Sequence, residues 1–302
     1  MHDRDCLHRF MFEGYPIRGQ LVHLDASWRA LIEHREYPTA IRDTLGEAVA
    51  ASLLLAGTIK FDGVLSLQLQ GEGLVQLLLA QCTSGLGVRG LARYRESPIA
   101  ATDASGVAAL VGHGNLTVTL ETDDMAQRYQ GIVPITGERL AESLRIYFEN
   151  SEQLPTRLWL HADALGASGM LLQRLPSSGG KRGVDAAAVD DAWRRVQLIG
   201  ETLTPEELAT LADTEILHRL FNEDDLRLYE PSPVYFRCRC SRERVSGMLQ
   251  GLGEAETRSV LAERGEVEVR CDFCNRAYVF DAVDVEQLFK VAAAASSGTS
   301  VH

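Results

Sequence analysis

The sequence lacks an excess of positive charge, a long apolar run and a signal-like start. Its 302 residues carry 42 acidic and 30 basic side chains, a formal net charge of -12, whereas binding to a phosphate backbone requires a basic face. No run of about eighteen apolar residues occurs, so we expect no membrane span. The charged residues 1–5 are followed by no apolar segment, so we expect no signal peptide and a cytoplasmic location.

Motifs for nucleotide binding and for hydrolysis are also missing. The glycines at 71–73 and 112–114 do not form G-x-G-x-x-G between a strand and a helix, and we interpret both as hairpin turns. No Ser/His/Asp spacing stands out, and the single histidines His113 and His161 have no visible partner. We therefore predict that the protein is not an enzyme.

Cysteine is scarce, with six residues, but four of them lie in two tight pairs. A C-x-C pair at 238–240 and a C-x-x-C pair at 271–274 are separated by thirty residues. Four thiolates complete the tetrahedron that Zn2+ prefers, and in a reducing cytosol such a cluster is more typical of metal binding or redox sensing than of a standing disulfide. The alternative is two unrelated pairs of buried cysteines. The predicted ligands of one zinc ion are Cys238, Cys240, Cys271 and Cys274.

Residues 1–180 predict an N-terminal domain that mixes strands and helices. Strict alternation over 63–71 is typical of a strand with one buried face, and helices are predicted over 39–57 and 137–150. Because the strands follow one another closely, we expect hairpins and an antiparallel sheet in an α+β fold. The isolated Cys6 and Cys82 are interpreted as small apolar residues. Further strands are expected at 21–24, 74–81, 88–94, 116–120, 158–161 and 170–173.

A linker is predicted between this domain and the cysteines. Residues 176–183 are rich in Gly and Ser, and the stretch 181–233 is expected to be helical, with a capping box at Thr204-Pro205-Glu206-Glu207. Nine acidic residues and two arginines fall within 201–230. Short, highly charged helices are marginal alone in water, so we predict a docked segment that is poised to unfold. The alternative is a plain connecting pair of helices.

The last domain, 234–302, is small. Helices are expected over 241–251 and 283–291, and a short helix between them carries Val260 and Leu261 and stops at Gly265. A strand is expected on each side of the C-x-x-C pair. Such a short chain buries too little apolar surface for secure stability, and a structural zinc would contribute folding free energy directly. We therefore predict that this domain opens when the ion is removed.

The predicted zinc site also suggests a redox switch. Metal-held sulfur is deprotonated, and thiolates are what oxidants attack. A sulfenic acid that condenses with a neighbouring thiol forms a disulfide and removes ligands. The spacing suggests the disulfides Cys238–Cys240 and Cys271–Cys274. Loss of zinc would then unfold the last domain, release the acidic helical stretch and expose apolar surface that can bind other unfolded chains.

Several segments, in order along nearly the whole chain, carry a resemblance to a known family. The C-x-C and C-x-x-C pairs are accompanied by Ser241-Arg242-Glu243-Arg244, directly after Cys240, and the other matching segments are 60–63, 67–71, 128–131, 151–157 and 169–173. With these segments the chain resembles the heat shock protein 33 family of redox-regulated holdase chaperones. The resemblance implies an N-terminal α+β domain, a helical linker and a small zinc domain. It implies a protein that is inactive when reduced and zinc-bound, and that oxidation with mild heat converts into an ATP-independent holdase. It also implies a homodimer as the active form and unfolded client proteins as partners.

Three other functions remain open at this point. A zinc-ribbon module that binds nucleic acid fits the cysteines but not the acidic balance. A thiol oxidoreductase would use Cys271 and Cys274, but their position between two strands is not the strand-to-helix context of a thioredoxin-like motif. A scaffolding protein would keep its zinc permanently.

Overall fold

The computed structural model describes residues 4–95, 106–122, 128–176 and 186–297, with side chains up to residue 290. Within it the chain forms two compact units, Met1–Arg237 and Cys238–His302. Most of the Gly- and Ser-rich segment 176–183 lies outside the described residues, so its role as a linker stays a prediction. No helix in the described part of the chain is long and apolar enough to cross a membrane.

The first sheet belongs to the Met1–Arg237 unit and is antiparallel throughout. Its order is β10-β1-β2-β9-β8, and β11 also pairs with β1. Its strands are β1 (Cys6–Phe12), β2 (Ile17–Leu24), β8 (Thr156–Ala162), β9 (Ala167–Arg174), β10 (Leu226–Leu228) and β11 (Ser232–Pro233). The stretch 181–233, predicted to be helical, therefore ends in two strands, β10 and β11, which tie its end to β1.

The second sheet contains the alternating segments and has the order β12-β5-β4-β3-β6-β7. The hairpins expected between successive strands are confirmed for β3, β4 and β5, while β12 pairs in parallel with β5. Its strands are β3 (Gly63–Gly71), β4 (Val75–Thr83), β5 (Gly87–Tyr94), β6 (Gly114–Thr122), β7 (Arg128–Pro134) and β12 (Tyr235–Phe236).

A long helix lies between the two sheets and fills the main core. Helix α2 (Thr39–Thr58) contacts β2, β8 and β9 on one side and β3, β4 and β5 on the other. A helix that is apolar on every side is expected to be buried, and side chains around its circumference, such as Leu45, Leu53 and Leu54, are fully buried. The alternating leucines of β3, at 65, 67 and 69, point into the same core.

The acidic helical stretch covers the opposite face of the first sheet. It consists of three helices, and we call them the helical cover. Their apolar side chains form a second buried cluster with the outward-facing residues of the sheet, Phe10, Phe12, Ile17, Leu21, Met170 and Leu172. The helices of the unit, besides α2, are α1 (Ala26–Ile32), α3 (Val107–Val111), α4 (Leu140–Tyr147) and the helical cover α5 (Ala186–Gly200), α6 (Pro205–Thr210) and α7 (Asp213–Phe221).

The Cys238–His302 unit is built around a hairpin and three helices. The hairpin joins β13 (Val267–Arg270) to β14 (Ala277–Phe280), and the helices are α8 (Arg242–Leu252), α9 (Glu254–Arg264) and α10 (Ala282–Ser297). These elements are the ones that the sequence predicts. Among the side chains described up to residue 290, six are buried in its core: Val245, Leu249, Val267, Tyr278, Phe280 and Val285.

The α+β fold class is confirmed, and three local predictions need correction. The glycines at 112–114 do not form a hairpin turn: Gly112 ends α3 instead, with a positive φ of 66° that glycine adopts at little cost. The helix expected over 137–150 begins later, at Leu140, and continues as a π-helical turn at Phe148–Glu152. Strand β1 was missed, because its sequence does not alternate cleanly between apolar and polar residues.

Candidate metal centre

The first cysteine pair lies immediately before helix α8. Ser241 caps this helix by accepting a hydrogen bond from the backbone N–H of Arg244 at 3.3 Å, as Ser commonly does at an N-cap. The guanidinium of Arg244 donates to the carbonyl oxygen of Arg239 at 3.0 Å. The helix start therefore fixes the short loop that presents Cys238 and Cys240.

The second pair occupies the tight turn of the β13–β14 hairpin. The backbone N–H of Cys271 donates to Arg276 at 3.0 Å, and that of Asn275 donates to the carbonyl of Cys271 at 2.8 Å. Asn275 adopts a left-handed conformation with φ of 53°, which Asn tolerates better than most residues. This turn lies between two strands, so it is not the strand-to-helix setting of a thioredoxin-like motif.

The four sulfur atoms converge on one point, half-buried at the edge of the unit. Cys238 Sγ lies 3.6 Å from Cys271 Sγ, and Cys240 Sγ lies 3.4 Å from Cys274 Sγ. All four sulfurs fall within 4.8 Å of one another. A tetrahedral zinc with Zn–S bonds of about 2.3 Å requires sulfurs about 3.8 Å apart. The cluster therefore has the dimensions and the donor set for one zinc ion.

The pKa values of the cysteines also favour a cation at this site. Burial raises the pKa of Cys238, and hydrogen bonds among the neighbouring thiols add to this effect. Burial acts in the same direction on Cys240, but hydrogen bonds from the Tyr278 hydroxyl and the other cysteines outweigh it and lower its pKa to about 7. Four sulfurs this close cannot all ionise without an opposing charge, which a divalent ion would supply.

Residues around the cluster hold its two halves together. The Tyr278 hydroxyl, on β14, lies 3.1 Å from Cys240 Sγ. Arg242 donates to the carbonyl of Val279 at 2.8 Å and to Asp284 at 2.7 Å, and its guanidinium stacks 4.2 Å above the Phe280 ring. The family-like run that begins at Ser241 thus links the first cysteine pair to the hairpin and to α10. This role could not be predicted from the sequence, because the partners of the run lie about forty residues away.

The remaining cysteines are buried, as predicted: Cys6 is 4% exposed and Cys82 is fully buried. Cys6 nevertheless belongs to a second group of metal-ligand types in the first unit, with His8 and Asp213. The sequence does not indicate this group, since Asp213 is separated from the other two residues by more than two hundred positions. No local spacing could have revealed it.

Known proteins resemble this chain along nearly its whole length. The family model described as Hsp33 protein matches residues 5–281. A 33 kDa chaperonin from Nitrosococcus oceani is 48% identical over 289 residues, which cover 96% of this chain and 96% of the relative. Another, from Pseudomonas paraeruginosa, is 44% identical over 301 residues and 99% of both chains. The 33 kDa chaperonin of Thermotoga maritima has the same fold, with a TM-score of 0.80 at 23% identity over 96% of this chain and 99% of that one.

The family match spans almost the entire chain, and the relatives cover it from end to end at more than 40% identity. The resemblance inferred from the cysteine spacing and the N-terminal segments is therefore confirmed. The chain belongs to the Hsp33 family.

Proposed function

We propose that this protein is an ATP-independent holdase chaperone whose activity is switched on by oxidation. When it is reduced, Cys238, Cys240, Cys271 and Cys274 hold one zinc ion and the chaperone is inactive. When it is oxidised, the ion is lost, the helical cover unfolds and the exposed apolar surface binds unfolding client proteins. The observation that carries the proposal is the convergence of four sulfurs in a unit with only a small core of its own.

The sulfur chemistry follows from thiolates that are accessible to oxidant. Each peroxide converts one thiolate to a sulfenic acid, and a neighbouring thiol displaces water from it to form a disulfide. Two disulfides thus consume two molecules of peroxide and use all four ligands. Bound zinc contributes charge compensation and folding free energy, and it undergoes no redox change itself.

The proposed disulfides are Cys238–Cys240 and Cys271–Cys274, which close the shortest loops. The two shortest sulfur separations run across the pairs, from Cys238 to Cys271 and from Cys240 to Cys274. A compact cluster brings every sulfur within reach of every other, so these distances do not select a pairing. Peptide mapping of the oxidised protein by mass spectrometry distinguishes the two arrangements.

The helical cover is the element that such a switch would release. Two of its helices, α6 and α7, have only six and nine residues and carry more acidic than basic side chains, and such helices are marginal alone in water. The apolar side chains of the cover pack against the first sheet. The chain that leaves the cover forms β10, β11 and β12 and reaches Cys238 only two residues after Phe236. Unfolding at the cysteines would therefore free one end of the segment that anchors the cover to β1.

The client-binding surface in this proposal is the sheet face beneath the cover. Its six large apolar side chains, from Phe10 to Leu172, are buried only while the cover is docked. Contiguous exposed apolar patches of this kind bind other apolar chains. The leucine face of β3 is a poorer candidate, because Leu65, Leu67 and Leu69 are packed under α2 in the main core. The proposal also includes a homodimer as the active form, with no binding to nucleic acid or membrane.

The decisive experiment measures zinc content and client protection on one sample before and after oxidation. The reduced protein should hold one zinc per chain and fail to prevent aggregation of a thermally unfolding client. Peroxide at raised temperature should release the zinc, detected with a metal dye, and suppress aggregation without ATP. Equal client protection by the reduced, zinc-loaded protein would refute the switch.

A further inference from the structure

A buried carboxylate joins the helical cover to the first sheet. Asp213, at the start of α7, is 6% exposed. Its Oδ1 lies 2.5 Å from His23 Nδ1, and its Oδ2 contacts His8 Nδ1. The other ring nitrogen of His23, Nε2, lies 2.6 Å from the carbonyl oxygen of Leu208 in α6. One side chain of the cover is thus bound by two imidazoles of the sheet.

The strand register explains why both imidazoles face the cover. In the β1–β2 pair, Cys6 lies opposite His23 and His8 lies opposite Leu21. Cys6, His8 and His23 therefore point to the same face of the sheet as Leu21, which packs against the cover. The titratable groups facing Asp213 are Cys6 and His8 from β1 and His23 from β2, and α6 contributes the Leu208 carbonyl.

The hydrogen-bond partners of Asp213 and His23 determine the charges of these two side chains. Burial favours the neutral form of Asp213, but hydrogen bonds from His23 and His8 outweigh it and lower its pKa to about 2. The carboxylate is therefore ionised near neutral pH and can only accept hydrogen bonds, as can the Leu208 carbonyl. Both nitrogens of His23 must then donate, which makes the ring an imidazolium. The imidazolium and the carboxylate neutralise each other inside the protein.

A bound metal is a poorer explanation of the same atoms. Cys6 Sγ, His8 Nδ1 and Asp213 lie within 4.8 Å of one another. Zinc ligands at about 2.0–2.3 Å from the ion must, however, stand about 3.3 Å or more apart. Here His23 Nδ1 and Asp213 Oδ1 are 2.5 Å apart and the second nitrogen–oxygen contact is also direct, so hydrogen bonds already occupy the space between the groups.

We propose that Asp213 is a charged clamp that keeps the helical cover docked on the first sheet independently of the zinc site. The consequence for activity rests on the proposed function: releasing the clamp should activate the chaperone while it is still reduced and zinc-loaded. Removing one partner of a buried ion pair is strongly destabilising, because it leaves the other charge buried and uncompensated. In Asp213→Ala the His23 ring, directly beneath the cover, loses its counter-ion and one hydrogen bond, and it is driven to give up a proton.

The test compares Asp213→Ala with Asp191→Ala in the full-length, reduced, zinc-loaded protein. Asp191 is on α5 of the same cover and pairs with Arg194, but both side chains are more than 70% exposed, so its loss should change little. Hydrogen exchange over 205–221 should accelerate at least about thirtyfold in Asp213→Ala and stay unchanged in Asp191→Ala. The zinc content of both variants should remain one per chain.

The possible outcomes distinguish failure of the Asp213 clamp from failure of the proposed function. Faster exchange together with client protection supports both. Faster exchange without client protection upholds the clamp and contradicts release of the cover as the activating step. Unchanged exchange over 205–221 overturns the clamp and leaves the zinc switch untouched.

A second measurement, on the unmodified protein, tests the charge of the His23 ring directly and does not depend on whether Asp213→Ala folds. At pH 7, nitrogen-15 NMR of the histidine rings should show both nitrogens of His23 carrying hydrogen, with the shifts of an imidazolium. In Asp213→Asn, which preserves shape but not charge, the same ring should change to a neutral form. A neutral His23 ring in the unmodified protein would overturn the proposal.

Discussion

Removing two of the four cluster sulfurs is expected to unfold the Cys238–His302 unit and leave the Met1–Arg237 unit folded. The perturbation is the double variant Cys238→Ser with Cys271→Ser, studied under reducing conditions. It takes one ligand from each pair, so neither the loop before α8 nor the hairpin turn keeps two sulfurs. Zinc binding should fall from one ion per chain to none.

The magnitude follows from the size of the unit. Among the described residues, its core has six buried side chains, whereas the two clusters of the first unit together hold more than fifty. Zinc binding to structural sites contributes about 10–16 kcal/mol at neutral pH, which equals or exceeds the whole net stability of a typical domain, about 5–15 kcal/mol. A unit with so small a core should not remain folded after that loss.

Hydrogen exchange and limited proteolysis measure the two units separately. Amides of β13 and β14 should lose their protection, while those of α2 and β9 keep theirs. The control is Cys82→Ala, which removes a fully buried thiol of the first unit and should leave zinc stoichiometry unchanged. If the zinc-free double variant were as protease-resistant over 238–290 as the unmodified protein, the zinc clamp would not be what holds this unit together.

Three further predictions concern the surroundings of the switch. Tyr278→Phe deletes the hydroxyl that contacts Cys240. In a chelator competition, this variant should bind zinc about tenfold more weakly with the same stoichiometry. An unchanged zinc affinity would show that the hydroxyl does not contribute to binding. Ala212→Ser should stabilise α7 by about 1 kcal/mol, because Glu215 already accepts from the Ala212 N–H at 3.0 Å while Ala offers no oxygen in return. Ala212→Ser should therefore raise the oxidant concentration or the temperature that activation requires, and Thr204→Ala should lower it. An unchanged threshold in both variants would show that the stability of the cover does not control activation. The pKa of Asp213 is lowered from 3.8 to about 2, so its contribution of about 2 kcal/mol is present above pH 4 and lost as the pH falls toward 2. Trp193 fluorescence should report acid release of the cover, and Asp213→Ala should abolish that pH dependence.

Much of the candidate metal centre could be predicted because its four cysteines are paired within a few residues. The spacing of Cys238 and Cys240 and of Cys271 and Cys274 indicates two short loops, and four thiolates together suit one zinc ion. Strand and helix periods also predicted β3, α2 and the hairpin that carries the second pair. The arrangement of Arg242 and Tyr278 around the sulfurs was not predictable, because it depends on how α8 and β14 pack.

The docking surface of the helical cover could not be predicted from local sequence patterns. Its acidic composition and the capping box at Thr204 indicated short, marginal helices, but no pattern showed which surface they cover. That choice depends on the pairing of β1 with β2 and of β2 with β9, which collects Phe10, Leu21 and Met170 on one face.

The sequence by itself determined the family, the fold class and the four sulfurs, because each rests on residue types at short, regular spacings. Only the tertiary structure decided where the cover docks and that Asp213 meets His8 and His23, which lie about two hundred residues earlier in the chain. The physical reason is that a buried charge needs partners at hydrogen-bond distance, and long-range packing alone sets which residues come that close.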